Sequence, residues 1–76
     1  MNPADLELKI DNLLKVEAKG HIYRSVIDAT ERILIEKALE GSAGNQISAA
    51  RILGLNRNTI RSKIKKLNID TRKFKL

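Results

Sequence analysis

A glycine between two short segments of helical apolar spacing constrains this chain more than any other feature of its sequence. Residues 45–67 read NQISAARILGLNRNTIRSKIKKL. Ala50 offers a small residue where two steeply crossing helices touch, and Gly54 tolerates the positive φ that the corner between them requires. We therefore predict one helix from Asn45 to Leu53 and another from Asn56 to Leu67, joined as a helix-turn-helix.

Apolar residues of both segments supply the small core that would fix the angle between the two helices. Part of this set recurs at i, i+4 and i+7 and marks the buried face of the second helix. The expected core members are Ile52, Leu53, Leu55, Ile60, Ile64 and Leu67. The remaining faces of the second helix are basic and polar, so we expect them to face solvent or a ligand.

These exposed faces predict contact with a polyanion. Arg57, Arg61 and Lys65 lie at i, i+4 and i+8 and form one stripe, a spacing suited to following a DNA groove. Residues near the N-terminus of a recognition helix reach base edges, so we expect Arg57 and Arg61 to read guanine or groove shape. Asn56 and Thr59 are expected to bind the DNA backbone near the helix N-terminus, where the dipole favours phosphate.

Further residues complete the predicted DNA-contacting set. The lysines of the second helix are expected to make less specific phosphate contacts. Asn58 shares the exposed face, and Asn45 is both an N-cap and a candidate contact. The whole set is Asn45, Asn56, Arg57, Asn58, Thr59, Arg61, Lys63, Lys65 and Lys66.

Charge is concentrated at the C-terminal end of the chain. The formal net charge is +6, and residues 45–76 carry nine lysines and arginines against the single Asp70. This distribution favours a scaffold followed by a polyanion-binding segment. A basic, solvated tail is the alternative that charge alone leaves open. We expect such a tail over residues 68–76, with Phe74 either a loose terminal residue or a packing anchor.

The residues before this region predict two helices with a broad apolar surface. The first runs from Pro3 to Lys19 with Asn2 as its N-cap, and the second from His21 to Glu40. A chain of 76 residues without cysteine has a marginal core and no disulfide to support it. Self-association is therefore expected, through Leu6, Ile10, Leu13, Leu14, Ile22, Tyr23, Val26, Ile27, Ile33 and Leu34. The alternative is that the chain's other helices cover this surface.

Several other functions are disfavoured by the residues present. The lone His21 cannot hold a metal, and we expect no cofactor, no small-molecule substrate and no enzymatic activity. We interpret the acidic residues of the second helix as a solvated face: Asp28, Glu31, Glu36 and Glu40. Two aromatic residues provide no stacking platform for single-stranded RNA. No stretch is long enough for a membrane span, so we expect a cytoplasmic protein with no membrane partner.

A motif series over residues 44–64 gives the chain a family resemblance. Gly-Asn-Gln begins the series, an Ala-Ala pair and a Leu-Gly turn follow, and Asn-Arg-x-Thr-Ile-Arg-x-Lys-Ile completes it. Together with ERILIEKALE at residues 31–40, this pattern makes residues 23–70 resemble the C-terminal domain shared by Fis and the NtrC-type bacterial enhancer-binding activators.

This resemblance implies an all-α homodimer with four helices per chain. The first two helices would intertwine with those of the partner in a four-helix bundle, and the two recognition helices would enter successive major grooves of double-stranded DNA. DNA contacts are implied at Asn45, Asn56, Arg57, Thr59, Arg61 and Lys65. Ile47 and Ser62 depart from the hydroxyl and basic residues common in the family, which puts phosphate contact at these two positions in doubt.

The expected organisation is one domain over residues 1–76. Residues 1–44 would dimerise, residues 45–67 would form the helix-turn-helix, and residues 68–76 would form the tail. Because the chain begins almost at its first helix, we expect the enhancer-binding domain of an NtrC-type, sigma-54-dependent response regulator, whose phosphoreceiver and ATPase domains lie upstream. It would act at the bacterial nucleoid. The alternatives are a standalone Fis-like DNA-bending protein and a helical protein-interaction module.

Overall fold

The computed structural model describes residues 2–16 and 20–75, which fold into four α-helices and a short 3₁₀ turn. The helices are α1 (Pro3–Val16), α2 (Ile22–Gly41), α3 (Gln46–Leu53) and α4 (Arg57–Lys66), and the C-terminal turn is Thr71–Phe74. These described residues contain no β-strand, so the predicted all-α class with four helices is confirmed.

The first two helices lie close to their predicted ranges. α1 is capped by Asn2, whose Oδ1 accepts a hydrogen bond from the backbone N–H of Ala4 at 3.0 Å. Its predicted end at Lys19 lies outside the described residues. α2 begins and ends one residue later than predicted, and at 20 residues it is about 30 Å long.

Gly44 closes the turn between α2 and α3. Its N–H donates to the carbonyl oxygen of Leu39 at 2.8 Å, and its φ is +83°. A Cβ at this position would lie 2.9 Å from Cγ of Lys75 and 3.1 Å from the carbonyl oxygen of Thr71. Glycine therefore allows both the left-handed backbone and the close packing of the C-terminal turn against it.

The core sits where α2 meets the C-terminal half of the chain. Leu53, Leu55 and Phe74 pack against its buried members. Those members are Ile35, Ala38 and Leu39 of α2, Ala49 and Ala50 of α3, Ile60 and Ile64 of α4, and Leu67 and Ile69.

The predicted placement of Ile52 in this core is wrong. Its side chain is 60% exposed, although the other expected members are buried or packed against the core. Ala49, Ala50 and Leu53 set the inward face of α3. At 3.6 residues per turn, Ile52 points away from that face.

The segment after α4 is packed, and the expectation of a basic tail is corrected. Ile69 is buried, and Phe74 contacts the core as an anchor. The Oδ1 atom of Asp70 caps the C-terminal turn by accepting the N–H of Arg72 at 3.0 Å. The basic side chains of this segment, Arg72, Lys73 and Lys75, are exposed although the backbone that carries them is packed against the core.

The N-terminal half of the chain contrasts with this core, because α1 has no buried residue. Half-buried residues of the predicted self-association surface are Leu6, Ile10, Leu13, Ile22 and Val26, whereas Leu14, Tyr23, Ile27, Ile33 and Leu34 are exposed. The radius of gyration is 14.2 Å, whereas a compact chain of this length would have about 11 Å. None of the helices in the described ranges has the length and apolar character needed to cross a bilayer.

Candidate nucleic-acid interface

The corner between α3 and α4 has the geometry predicted from its sequence. Gly54 adopts φ +71° and ψ 28°, the left-handed conformation that ends α3. The N–H of Leu55 then donates to the carbonyl oxygen of Ala50 at 2.8 Å. Ala50 is itself buried at the helix contact. The small residue and the glycine therefore act together to turn the chain from one helix into the next.

Asparagine side chains cap both helices of the motif. Oδ1 of Asn45 accepts the N–H of Ser48 at 3.1 Å. Oδ1 of Asn56 accepts the N–H groups of Asn58 and Thr59 at 2.7 and 3.3 Å. These bonds satisfy backbone donors that have no partner within the first turn of a helix. The predicted N-cap role of Asn45 is thus confirmed, and Asn56 caps α4 in the same way.

The C-terminus of α4 is closed by Asn68. This residue has φ +54°, and its N–H donates to the carbonyl oxygen of Lys65 at 3.2 Å. The N–H of Ile69 donates to the carbonyl oxygen of Ile64 at 3.0 Å. Paired bonds of this kind stop a helix and direct the following residues back toward the core.

α4 is two-sided, with a buried apolar face and an exposed basic face. Ile60 and Ile64 are buried, and they fix the helix against the core. Arg57, Arg61 and Lys65 are exposed and occupy one stripe about a quarter-turn around the helix from this buried face. A rigid helix therefore presents three cations in a row to the outside of the molecule.

All but one of the predicted DNA-contacting residues are exposed. The exposed residues are Asn45, Asn56, Arg57, Asn58, Thr59, Arg61, Lys65 and Lys66. The exception is Lys63, whose Nζ lies 2.8 Å from Oε1 of Glu31, with 30% of its side chain exposed. The structure therefore gives Lys63 a carboxylate partner within the protein.

Three polar side chains of α2 reach the C-terminal half of α4 in this way. Besides the pair of Glu31 with Lys63, Nζ of Lys66 lies 3.5 Å from Oδ1 of Asp28. The guanidinium of Arg32 donates to the carbonyl oxygen of Leu67. Its positive charge is also favoured there by the negative end of the α4 dipole. The interpretation of Asp28 and Glu31 as a solvated acidic face is thus wrong, because both carboxylates pair with lysines of α4.

A shallow, open cleft continues the basic face of α4 beyond the predicted interface. It lies between the start of α3, the end of α4 and the segment that follows, and its volume is about 600 Å³. Arg61, Lys65 and Arg72 line it, together with Asp70 and Gln46. Sequence reasoning missed Arg72 because it assigned this residue to a basic, solvated tail. The apolar residues Ile69 and Phe74 on either side of the charged residues were the signal that this segment packs.

Asp70 and Arg72 form a local ion pair at the edge of this cleft. Nε and Nη2 of Arg72 donate to the two carboxylate oxygens at 3.0 and 3.3 Å. These bonds, followed by the one from the backbone N–H of Arg72, hold the pKa of Asp70 below its ordinary value of 3.8. The same pair raises the pKa of Arg72.

The sign of the Asp70 shift defines when this pair stabilises the turn. A carboxyl whose pKa is lowered on folding contributes stability above its ordinary pKa, here 3.8, and loses it as the pH falls through the folded pKa. The contribution is therefore fully present at neutral pH.

Within residues 2–16 and 20–75, no three His, Asp or Glu side chains cluster in a way that could hold a metal ion.

Comparison with known proteins identifies the same region as a family domain. The sequence pattern of the family described as bacterial regulatory protein, Fis family, matches residues 26–67, which is more than half of the chain. The matched range includes most of α2, all of α3 and α4, and Leu67. No solved structure matches the chain.

Individual relatives fall into two groups. The DNA-binding transcriptional regulator NtrC of Azospirillum brasilense is 52% identical over 48 residues, which is 63% of this chain but 10% of that protein. A putative Fis-like DNA-binding protein of Ralstonia nicotianae is 44% identical over 48 residues, 63% of this chain and 62% of that protein. The DNA-binding protein Fis of Buchnera aphidicola is 32% identical over 59 residues, 78% of this chain and 60% of that protein.

The matched region thus spans about a tenth of the NtrC relatives and about three-fifths of the Fis-like proteins. The resemblance predicted from the motif series is confirmed. On the match to residues 26–67 and the capped, two-sided geometry of α4, the chain belongs to the Fis family of bacterial regulatory proteins and contains a helix-turn-helix DNA-binding regulatory domain related to NtrC and Fis.

Proposed function

We propose that the chain binds specific sites in duplex DNA as a homodimer and serves transcription as the enhancer-binding domain of an NtrC-type response regulator in the bacterial cytoplasm. The observation that carries the proposal is the exposed stripe of Arg57, Arg61 and Lys65 on a helix whose adjacent apolar face is packed into the core. The sequence identity of the chain to NtrC of Azospirillum brasilense is 52%, and it exceeds the identities to the two Fis-like proteins, 44% and 32%, which supports the NtrC-type assignment.

Within this proposal, the residues of α4 divide by position. Arg57 and Arg61 would enter the major groove and read base edges, because they lie in the first half of the recognition helix. Asn56 and Thr59 would bind phosphate at the helix N-terminus, with Asn45 and Asn58 beside them. Lys65 and Lys66 would bind phosphate further along. Lys63 is not part of the proposed interface, because its ammonium group pairs with Glu31.

The second part of the proposal concerns residues 1–44. α1 has no buried residue, and Leu14, Tyr23 and Leu34 are exposed on α1 and α2. A second copy of the chain would cover these side chains and turn the two-helix arrangement into a bundle, with a gain of about 25 cal/mol for each Å² of apolar surface buried. The dimer would place its two copies of α4 at major grooves one helical turn apart, ~34 Å.

Selection of duplexes from a random pool, followed by affinity measurements on the selected site, tests this function. We expect a partly palindromic site. Arg57→Ala should weaken binding to it by about 1–3 kcal/mol and relax the base preference at one position of each half-site. Lys37→Ala is the matched control, since it also removes one positive charge. Lys37 is exposed and pairs with Glu40 near the C-terminal end of α2, outside the proposed interface.

The control variant should bind the selected site like the unchanged protein. If Arg57→Ala retained both the affinity and the base preference, α4 would not be the reading element. If no sequence were enriched and duplex binding did not depend on salt, the chain would instead be a protein-interaction module, because phosphate binding is opposed by salt.

A further inference from the structure

The cleft between α3, α4 and the C-terminal turn lies partly outside the region that matches the family. The match ends at residue 67, whereas Asp70 and Arg72 line the cleft. Arg61 and Lys65 also line it, so three cations and a single carboxylate border one space. Arg61 and Lys65 also belong to the exposed stripe of α4. The cleft is therefore a lateral continuation of the proposed DNA-binding surface.

The backbone that carries Arg72 is held in place at several points. Ile69 is buried before it, and Phe74 packs against the core after it. Gly44 contacts the same segment closely, since a Cβ there would meet the carbonyl oxygen of Thr71 and the backbone nitrogen of Lys75. The chain therefore presents Arg72 from a fixed position.

Asp70 fixes the direction of the Arg72 side chain as well. The carboxylate accepts bonds from Nε and Nη2, which occupy two of the five N–H groups of a guanidinium. The other N–H groups project from a side chain that is 84% exposed. A guanidinium oriented in this way loses less conformational entropy on binding an oxyanion than a mobile one does.

We propose that Arg72, oriented by Asp70, binds a phosphate of the DNA backbone that enters this cleft beside Arg61 and Lys65. The inference rests on the proposed function, and it adds a contact from a segment beyond the family domain. A phosphate is the ligand that fits the chemistry, because guanidinium groups bind its oxygens through paired hydrogen bonds. Gln46 at the start of α3 lines the same cleft, where the helix dipole adds to the positive potential.

Two neighbouring residues of the turn allow a matched test. Arg72→Gln and Lys73→Gln each remove one positive charge from adjacent exposed positions. Arg72 lines the basic cleft, whereas Lys73 lines a different groove with Glu36 and Glu40 and has its Nζ 5.9 Å from the centre of the Phe74 ring. A general effect of net charge would act on both variants alike, and a phosphate contact in the cleft would act on one.

The measurement is affinity for a duplex selected by the unchanged protein, over a series of salt concentrations. Arg72→Gln should weaken binding about fivefold at ~0.1 M salt and reduce the slope of log affinity against log salt by about 0.9. Lys73→Gln should change affinity less than about twofold. Phosphate ethylation interference should lose one sensitive phosphate per half-site in Arg72→Gln and none in Lys73→Gln.

The possible outcomes separate this inference from the proposed function. If the unchanged protein binds duplex DNA with a steep salt dependence and Arg72→Gln keeps the full slope, the Arg72 contact is wrong and the proposed function stands. Equal losses in the two variants would also overturn the contact, since they would show an effect of charge alone. If the unchanged protein does not bind duplex DNA, both proposals fail. Thermal unfolding of each variant verifies that the fold is intact.

Discussion

Two glycines adopt the same left-handed backbone in this protein but have different surroundings. Gly54 at the helix-turn-helix corner has no atom within 4 Å of a Cβ built upon it. At Gly44 the built Cβ lies 2.9 and 3.1 Å from atoms of the C-terminal segment. The first position therefore needs glycine for its backbone conformation alone, and the second needs it for packing as well.

This difference predicts unequal effects of alanine. Gly54→Ala should lower the free energy of unfolding by about 1–2 kcal/mol, the cost of a left-handed conformation for an L-residue. Gly44→Ala should lower it by about 1–3 kcal/mol more, because the added methyl group overpacks the contact with Thr71 and Lys75. Urea unfolding of the two variants measures the difference. Equal losses would show that the C-terminal segment does not pack on Gly44.

At the residue scale, local features could be predicted from the sequence and distant pairings could not. The caps at Asn2, Asn45 and Asn56 were predictable because each bonds to the N–H of a residue two or three positions later. The pair of Glu31 with Lys63 joins residues 32 positions apart, and no local pattern specifies it. Sequence reasoning therefore assigned both residues to solvent or to DNA.

At the scale of helices, charged side chains of α2 hold the C-terminal half of α4. The ammonium of Lys63 and the carboxylate of Glu31 are 2.8 Å apart and less than one-third exposed, while Asp28 and Lys66 form a more exposed pair. α2 also carries most of the exposed apolar surface proposed for the dimer. These ion pairs thus connect the proposed dimerisation helix to the proposed recognition helix, and they fix the direction in which α4 points.

Two lysines of α4 should consequently differ in what they do. Lys63→Gln should lower the free energy of unfolding by about 1 kcal/mol, because it breaks a partly buried pair. It should leave the slope of log DNA affinity against log salt unchanged. Lys65→Gln should change stability by less than about 0.5 kcal/mol, and it should reduce that slope by about 0.9.

Unfolding curves and salt titrations of both variants provide the measurement, and Glu31→Gln is the control for the stability effect. Its loss should not add to that of Lys63→Gln in the double variant, because both substitutions remove the same pair. A slope reduced as much in Lys63→Gln as in Lys65→Gln would show that Lys63 binds phosphate after all.

The helices themselves were predictable to within a residue or two, except where their ends lie outside the described residues. Apolar spacing, asparagine caps and glycine breaks all act within a few positions, so they define α2, α3 and α4 well. The C-terminal turn was missed because its stability comes from contacts of Ile69 and Phe74 with residues far away in the sequence. The basic residues around Ile69 and Phe74 make the segment resemble a solvated tail, so its composition does not indicate that these two residues pack against the core.

At the scale of the whole molecule, the two halves of the chain differ in how completely they are packed. The C-terminal half surrounds a buried core, whereas α1 has no buried residue and the molecule extends to 40 Å along its longest axis. A groove of about 320 Å³ between α1 and α2 is lined by Leu6, Ile10, Leu13 and Val26, among others. A single copy of the chain leaves this apolar surface incompletely covered.

Dimerisation through α1 and α2 predicts a clear difference between two exposed apolar residues. Leu14 on α1 is 58% exposed, and Ile52 on α3 is 60% exposed. Leu14→Lys should weaken self-association by at least about tenfold, because it places a charge in the proposed apolar interface. Ile52→Lys adds the same charge outside that interface and should leave association unchanged. Equal behaviour of the two variants would place the contact surface elsewhere.

Sedimentation equilibrium of the unchanged chain at micromolar concentration tests the central claim most directly. A dimer that holds two copies of α4 one helical turn apart requires a species with twice the chain mass of 8.5 kDa. We predict this mass in the absence of DNA, since the apolar surface of α1 and α2 favours association on its own. A single species of 8.5 kDa at every concentration would contradict the two-half-site mode of DNA recognition.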